Sequence, residues 1–268
     1  MTSQAEKVEA FHRLHAEGCF LMPNPWDVGT AVALEQKGFE ALATTSAGHA
    51  WSLARPDNGV QRDESLDHLR QIAGAVNVPV NADFEHGFAR DPHGVAVNVK
   101  LAAATGIAGL SIEDSTGDPG EPLFPFDFAV ERVRAARQAI DESGTGVLLT
   151  GRSEGFVVGR PDLEETTRRL QAYADAGADC VYAPGIKTPE QVSAVLAAVT
   201  PKPVNLLAYG PFTTVAEAAA LGVRRISVGG TLARTAWAGF LAAADEIATE
   251  GTFSRFTELP DVDAVFAR

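Results

Sequence analysis

One pattern recurs along the chain: an amphipathic or alanine-rich stretch of helical length, a glycine, then a short apolar run of strand character. It appears as Leu34-Glu35-Gln36-Lys37-Gly38 before residues 41–44, and as Ala102-Ala103-Ala104-Thr105-Gly106 before residues 109–112. It returns with Gly177 before residues 180–183 and with Gly222 before residues 225–228. Glycine just past a helix relieves the strain of a left-handed C-cap, so these four places read as helix-to-strand junctions. Four more strands are predicted at residues 19–22, 80–82, 147–150 and 204–206, the last three each following a Pro or Gly signal. Helices are expected near 28–37, 64–75, 92–105, 127–141, 162–176, 188–199, 213–221 and 231–249, with an extra one near 4–17 ahead of the first strand. Strict alternation of strand and helix specifies a parallel sheet, and eight strands with right-handed crossovers close into a (β/α)8 TIM barrel.

With 268 residues and 46% hydrophobic content, one large core is the expectation, a single barrel domain spanning 1–268 without linker or low-complexity segment. No apolar run reaches 18 residues and the first residues lack a basic patch followed by an apolar one, which predicts a cytoplasmic protein with no membrane partner. A formal charge of −13, from 35 acidic against 22 basic residues, argues against nucleic acid and favours a small molecule. Cys19 and Cys180 lie far apart in predicted strands and read as reduced core residues.

Charge is concentrated where barrel strands should end: Asp83-Phe84-Glu85, Glu113-Asp114 and Arg152-Ser153-Glu154. Active sites of such barrels are built at the carboxyl ends of the strands. Residues i and i+2 of a strand share a face, so Asp83 with Glu85, and Arg152 with Glu154, are expected to face one small volume. Clustered carboxylates repel one another, and a hard divalent cation with oxygen ligands relieves that, Mg2+ first and Mn2+ next. A salt-bridge network closing the barrel top, with Arg152 paired to Glu85 or Glu113, is the competing reading.

Several nearby segments have two readings each. Asp57, in Arg55-Pro56-Asp57-Asn58-Gly59, can reach the same site or serve only turn chemistry. Thr44-Thr45-Ser46-Ala47-Gly48 can offer backbone amides to an anion or form a tight turn. Gly229-Gly230-Thr231 resembles a phosphate cup, which keeps a sugar-phosphate isomerase in play. None of the five lysines sits at a predicted strand end, so Schiff-base chemistry is poorly supported. Of the six histidines, His49 and His86 fall near the site, as proton shuttles or as solvated loop residues. The irregular stretch 115–125, with two glycines and three prolines after the fourth strand, is a lid candidate.

Five stretches in order, Pro23-Asn24-Pro25-Trp26-Asp27, residues 41–48, Pro79-Val80-Asn81-Ala82-Asp83-Phe84-Glu85-His86-Gly87-Phe88, residues 109–114 and Gly151-Arg152-Ser153-Glu154, make the chain resemble the isocitrate lyase/phosphoenolpyruvate mutase family from about Phe11 to Gly239. The resemblance implies a barrel whose last helix is exchanged with a neighbour, a homotetramer built from such swapped pairs, and one Mg2+ per site. It implies Asp83 as the direct metal ligand, with Asp57, Glu85 and Glu113 holding the metal's waters. It also implies Arg152, the Ser46-Ala47-Gly48 backbone next to Thr45, and Asn205 as the holders of a 2-oxo acid, with Arg152, Glu113 and Asp57 serving catalysis. Two departures stand out. The lid carries no Cys, Lys or His, where the isocitrate and methylisocitrate lyases carry a cysteine acid. Asp118 and Glu121 occupy it where phosphonate-handling members place Asn and basic groups. Apart from these two, Ala89 stands in place of a glycine usual after the acidic motif, a change that only stiffens the loop.

The chemistry that survives both departures is a Mg2+-dependent lyase reaction, cleaving a carbon–carbon bond of a small 2-oxo or 2-hydroxy (di)carboxylate through an enolate-like state. An oxaloacetate decarboxylase-like or methylisocitrate lyase-like activity is expected. Carbon–phosphorus chemistry of the mutase or phosphonopyruvate hydrolase type, and a barrel that binds an oxo acid without turning it over, are the alternatives.

Overall fold

Eight parallel strands form one sheet in the structure, a computed structural model that describes residues 2–267. They are β1 (Phe20–Met22), β2 (Leu42–Ala43), β3 (Val80–Asp83), β4 (Gly109–Glu113), β5 (Leu148–Arg152), β6 (Cys180–Tyr182), β7 (Val204–Leu207) and β8 (Arg225–Ser227). Their order is β1-β8-β7-β6-β5-β4-β3-β2, so consecutive strands are neighbours and the sheet curls until β2 returns to β1. That seam is closed outside the strands. Ala43 donates its amide to the Pro23 carbonyl at 3.0 Å, and the Asn24 side chain donates to the Thr44 carbonyl at 2.8 Å. Asn24 Oδ1 also accepts from the amides of Val228 and Gly229, each at 2.9 Å, so one asparagine ties the ends of three strands together.

The helices follow in order: α1 (Gln4–Ala16), α2 (Val28–Gln36), α3 (Ser46–Ser52), α4 (Arg62–Ala75), α5 (Pro92–Ala103), α6 (Phe126–Ser143), α7 (Leu163–Asp175), α8 (Pro189–Val199), α9 (Val215–Leu221), α10 (Thr231–Glu250) and α11 (Val262–Phe266). Most start on a side-chain cap that the sequence supplies, such as the Ser3/Glu6 capping box of α1 and Asp27 at the head of α2. The α1 helix packs fully buried Phe11 so tightly against β4 that a Cβ at Gly109 would lie 2.6 Å from its ring. Only glycine fits there.

The barrel interior and its helix-facing surface are filled by Phe84, Leu110, Ile112, Leu149, Val181 and Ile226, each at most 2% exposed. Full burial of one such side chain stabilises by about 1.5–3 kcal/mol. Cys180 is buried and Cys19 half-buried, both as thiols. No helix among the described residues is long and apolar enough to cross a membrane.

The C-terminal end behaves differently. Of the α10 residues only Ala233 and Glu246 are buried, while Trp237, Phe240, Leu241 and Ile247 are exposed. Phe253, Phe256, Leu259 and Val262, in the segment that follows α10, are exposed as well.

Candidate active site

The carboxyl ends of the strands surround a cavity of about 210 Å³. Thr45, Ser46, Ala47, Asp57, Asp83, Arg152 and Asn205 all line it, so most of the residues expected from the sequence meet there. Asp83 is the last residue of β3, and its carboxylate is held by three hydrogen bonds from two sides. Ser46 donates to its Oδ2 from both the amide, at 2.9 Å, and the hydroxyl, at 2.8 Å; Arg152 Nη1 donates to Oδ1 at 3.0 Å. Its backbone amide donates to Thr44 Oγ1 at 2.9 Å.

Arg152, the last residue of β5, is the hub. It pairs with Asp83, with Glu113 at 3.2 Å and with Glu154. The Arg152 guanidinium lies over the Tyr182 ring, 5.2 Å from its centroid. Burial alone would lower its pKa, but Glu113, Glu154 and Asp83 outweigh burial and hold it well above the ordinary value. The salt-bridge network is therefore present, with Glu113 and not Glu85 as a partner of Arg152. The carboxylates remain in excess. Burial raises Glu113 well above its ordinary value, offset only in part by Arg152, and burial likewise raises Glu154. Asp57 is pushed up by desolvation and by Asp83, although it keeps its turn bond to the Asn58 amide.

Three expectations need correction in detail. β3 ends at Asp83, and Glu85 adopts a left-handed φ of 48°, so the strand alternation that would align it with Asp83 has already broken. Glu85 lines a separate small chamber shared with Asp83, where burial, Asp83 and Asp57 raise its pKa to about 8. Residues 44–48 make neither a tight turn nor an open nest. Thr45 caps α3, accepting from the Gly48 amide at 3.3 Å, and the Ser46 amide is engaged by Asp83, which leaves that of Ala47. Gly48 is a packing glycine: a Cβ would stand 2.7 Å from Thr45 Cγ2 and 2.9 Å from Trp26 Cβ. The phosphate cup is largely closed too, because the Gly229 amide is taken by Asn24 and that of Thr231 by the Val228 carbonyl, which leaves only that of Gly230.

Residues 120–125 of the lid candidate border a different cleft of about 780 Å³, against Ser153, residues 159–162 and Arg169. The loop folds onto itself through Thr116 and Pro122 and does not line the strand-end cavity. Asp114 points away from its neighbour Glu113. It accepts from Tyr173 at 2.6 Å, Arg169 at 3.1 Å and the Glu154 amide at 2.7 Å, which makes it a brace for the β4 and β5 ends.

Sequence reasoning passed over Tyr182, Arg225 and Arg234 as site residues. Arg225 is 1% exposed and donates to Asn205 Oδ1 at 2.9 Å and Thr150 Oγ1 at 3.0 Å, fixing the Asn205 amide, whose Nδ2 donates to Ser227. An arginine inside the apolar β8 strand was the available signal. Arg234, on the first turn of α10, lies over the Trp51 ring at 4.6 Å.

The model of the phosphoenolpyruvate phosphomutase family matches residues 11–248. The chain belongs to that family. Within it, and within the wider isocitrate lyase/phosphoenolpyruvate mutase superfamily, the chain is an enzyme of the lyase and mutase group. A Burkholderia cenocepacia structure provisionally described as a lyase/mutase shares 47% identity and superimposes with a TM-score of 0.94, over 99% of this chain and 97% of that one. The oxaloacetate decarboxylase of Paraburkholderia xenovorans is 31% identical over 222 residues, 80% of this chain and 71% of that protein. Phosphonopyruvate hydrolase, solved with oxalate and Mg2+, superimposes with a TM-score of 0.85 at 26% identity, over 99% of this chain and 94% of that one.

Proposed function

We propose that this family member is a Mg2+-dependent carbon–carbon lyase acting on a compact 2-oxo or 2-hydroxy dicarboxylate, with oxaloacetate as the first substrate to try. The observation that carries the reading is the Asp83–Arg152 pair at the head of the strand-end cavity. Five carboxyl groups, Asp57, Asp83, Glu85, Glu113 and Glu154, gather around Arg152, the one cation that pairs with any of them among the described residues. Such a surplus of hard oxygen donors fits a divalent cation. No three His, Cys, Asp or Glu side chains among the described residues stand close enough to grip a metal directly. An all-carboxylate donor set suits Mg2+, a hard ion that keeps several of its waters, and Mn2+ has similar ligand preferences. Asp83 is the residue to hold it directly, and Asp57, Glu85 and Glu113 the residues to hold its waters. When bound, the metal supplies Lewis-acid stabilisation of charge developing on the substrate's oxo oxygen.

The chain's own groups supply the rest. Arg152, kept protonated by its carboxylates, offers donors to an oxygen that becomes negative as the bond breaks, and favours the transition state over the ground state. Asn205, fixed by Arg225 and Ser227, orients the other end of the acid. Arg152, Arg225 and Arg234 line the cavity with Asp57 and Asp83, and once a divalent cation offsets the surplus of carboxylates the site suits a dianion. Its 210 Å³ lies below the roughly 300–1,000 Å³ of pockets for drug-sized ligands and selects a small acid. The exposed apolar face of α10 and its C-terminal continuation support assembly with further copies of the chain, in keeping with a swapped-helix tetramer.

The test is product detection by ¹H and ³¹P NMR on oxaloacetate, 2-methylisocitrate, 2,3-dimethylmalate and phosphonopyruvate, with and without Mg2+. Metal-dependent pyruvate from a phosphorus-free acid supports the reading. A new phosphorus signal moves the enzyme to carbon–phosphorus chemistry, and silence throughout with tight acid binding makes it a binding barrel.

A further inference from the structure

Behind the wall that carries Asp83, the imidazoles of His49 and His68 stack face to face, with centroids 3.7 Å apart and planes 14° from parallel. His49 lies on α3 and His68 on α4, the two helices that flank the loop bearing Asp57. The Nε2 atoms of both rings are buried and have no hydrogen-bond partner in the protein, and His68 is only 8% exposed. A buried polar atom without a partner is costly, and two side by side need a reason.

Both rings line the small chamber that holds Glu85, together with Asp83, Thr45 and Ser65. Its volume is about 10 Å³. A space of roughly 10–15 Å³ takes one water molecule, provided two to four polar groups receive it. Glu85 is 4% exposed, forms no ion pair among the described residues, and borders this chamber but not the substrate cavity. Burial lowers the pKa of both imidazoles, that of His68 to about 3, and a neutral imidazole offers one donor and one acceptor nitrogen.

We propose that His49 and His68 are positioning residues for the metal site: a single buried water, bound by their Nε2 atoms and the Glu85 carboxyl group, holds Glu85 in the orientation that metal binding needs. The proposal rests on the reading of Asp83 and its neighbours as a metal site. Groups behind the ligands that fix their orientation are worth about ten- to a hundredfold in metal affinity.

Titration calorimetry with Mg2+ alone, on the wild type, His68→Phe and His68→Gln, tests this. His68→Phe fills the site without a polar nitrogen and is expected to weaken Mg2+ binding at least tenfold while its melting temperature holds or rises; His68→Gln restores binding to within about threefold of the wild type. A purely structural role would move the melting temperature and leave Mg2+ affinity alone, and equal affinity in the Phe variant overturns the proposal. If the wild type itself binds no Mg2+, the metal reading fails first and the proposal with it. A high-resolution crystal structure of the wild type gives a check independent of any variant. A water bonded to both His68 Nε2 and Glu85 is expected, and a dry chamber overturns the proposal.

Discussion

Arg152 Nη1 lies 3.0 Å from Asp83 Oδ1, while Ser46 holds the other oxygen of that carboxylate from its amide and its hydroxyl. Asp83 is thus fixed by β5 on one side and by the first turn of α3 on the other before any ligand arrives. Lysine keeps the charge at position 152 but cannot span Asp83, Glu113 and Glu154 together. Arg152→Lys is expected to lower kcat by about 100-fold or more. Steady-state kinetics check this, and kcat within tenfold of wild type would contradict it.

The His15 imidazole is buried against Phe11 and Phe20, 3.3 Å from Arg225, and burial first, then the Arg225 charge, lower its pKa to about 3. In the unfolded chain it returns to about 6.5. Between those values the unfolded state binds a proton that the native state refuses, so this site costs stability as pH falls from about 6.5 towards 3. The slope approaches ~1.4 kcal/mol per pH unit. Thermal melts from pH 7.5 to 4.5 should show the wild type losing ground relative to His15→Gln, whose amide does not titrate. Parallel curves for the two proteins would rule this out.

Gly48→Ala places a methyl group 2.7 Å from Thr45 Cγ2 and 2.9 Å from Trp26 Cβ, both in packed surroundings. Overpacking of this kind costs about 1–3 kcal/mol. A melting temperature lower by several degrees is expected by differential scanning calorimetry, whereas an unchanged value would show that the α3 wall yields freely.

Phe240 is 62% exposed and sits beside Trp237 with ring centroids 5.5 Å apart, on a helix that its own barrel barely covers. Phe240→Glu puts a charge on that face, and a smaller assembly by light scattering at micromolar concentration is the expected result. A wild type that is already monomeric would refute the assembly.

The barrel was legible because glycine junctions and short apolar runs repeat with the chain, and all eight strands fall at or within a residue or two of where that pattern puts them. The site was legible wherever charge follows directly on a strand end, as at Asp83 and Arg152. It was less so where the backbone leaves regular geometry. The left-handed turn at Glu85 cannot be read from strand alternation, and it moves that carboxyl group into the histidine chamber. The seven-residue α3 and five-residue α11 helices are too short to show a periodic face. Asn24 stood in a recognised motif, yet its bonds to Thr44, Val228 and Gly229 join segments some 20 and 200 residues away, a tertiary fact with no local signature.

The most direct measurement is the rate of pyruvate formation from oxaloacetate by ¹H NMR, for the wild type and Asp83→Asn, each with Mg2+ and with a chelator, against the enzyme-free rate. The wild type with Mg2+ is expected to run at least 100-fold faster than the chelated enzyme, and Asp83→Asn to stay at the enzyme-free rate in both conditions. Equal rates with and without metal, or full activity in Asp83→Asn, would contradict the assignment of Asp83 and Arg152 as the centre of a metal-dependent carbon–carbon lyase.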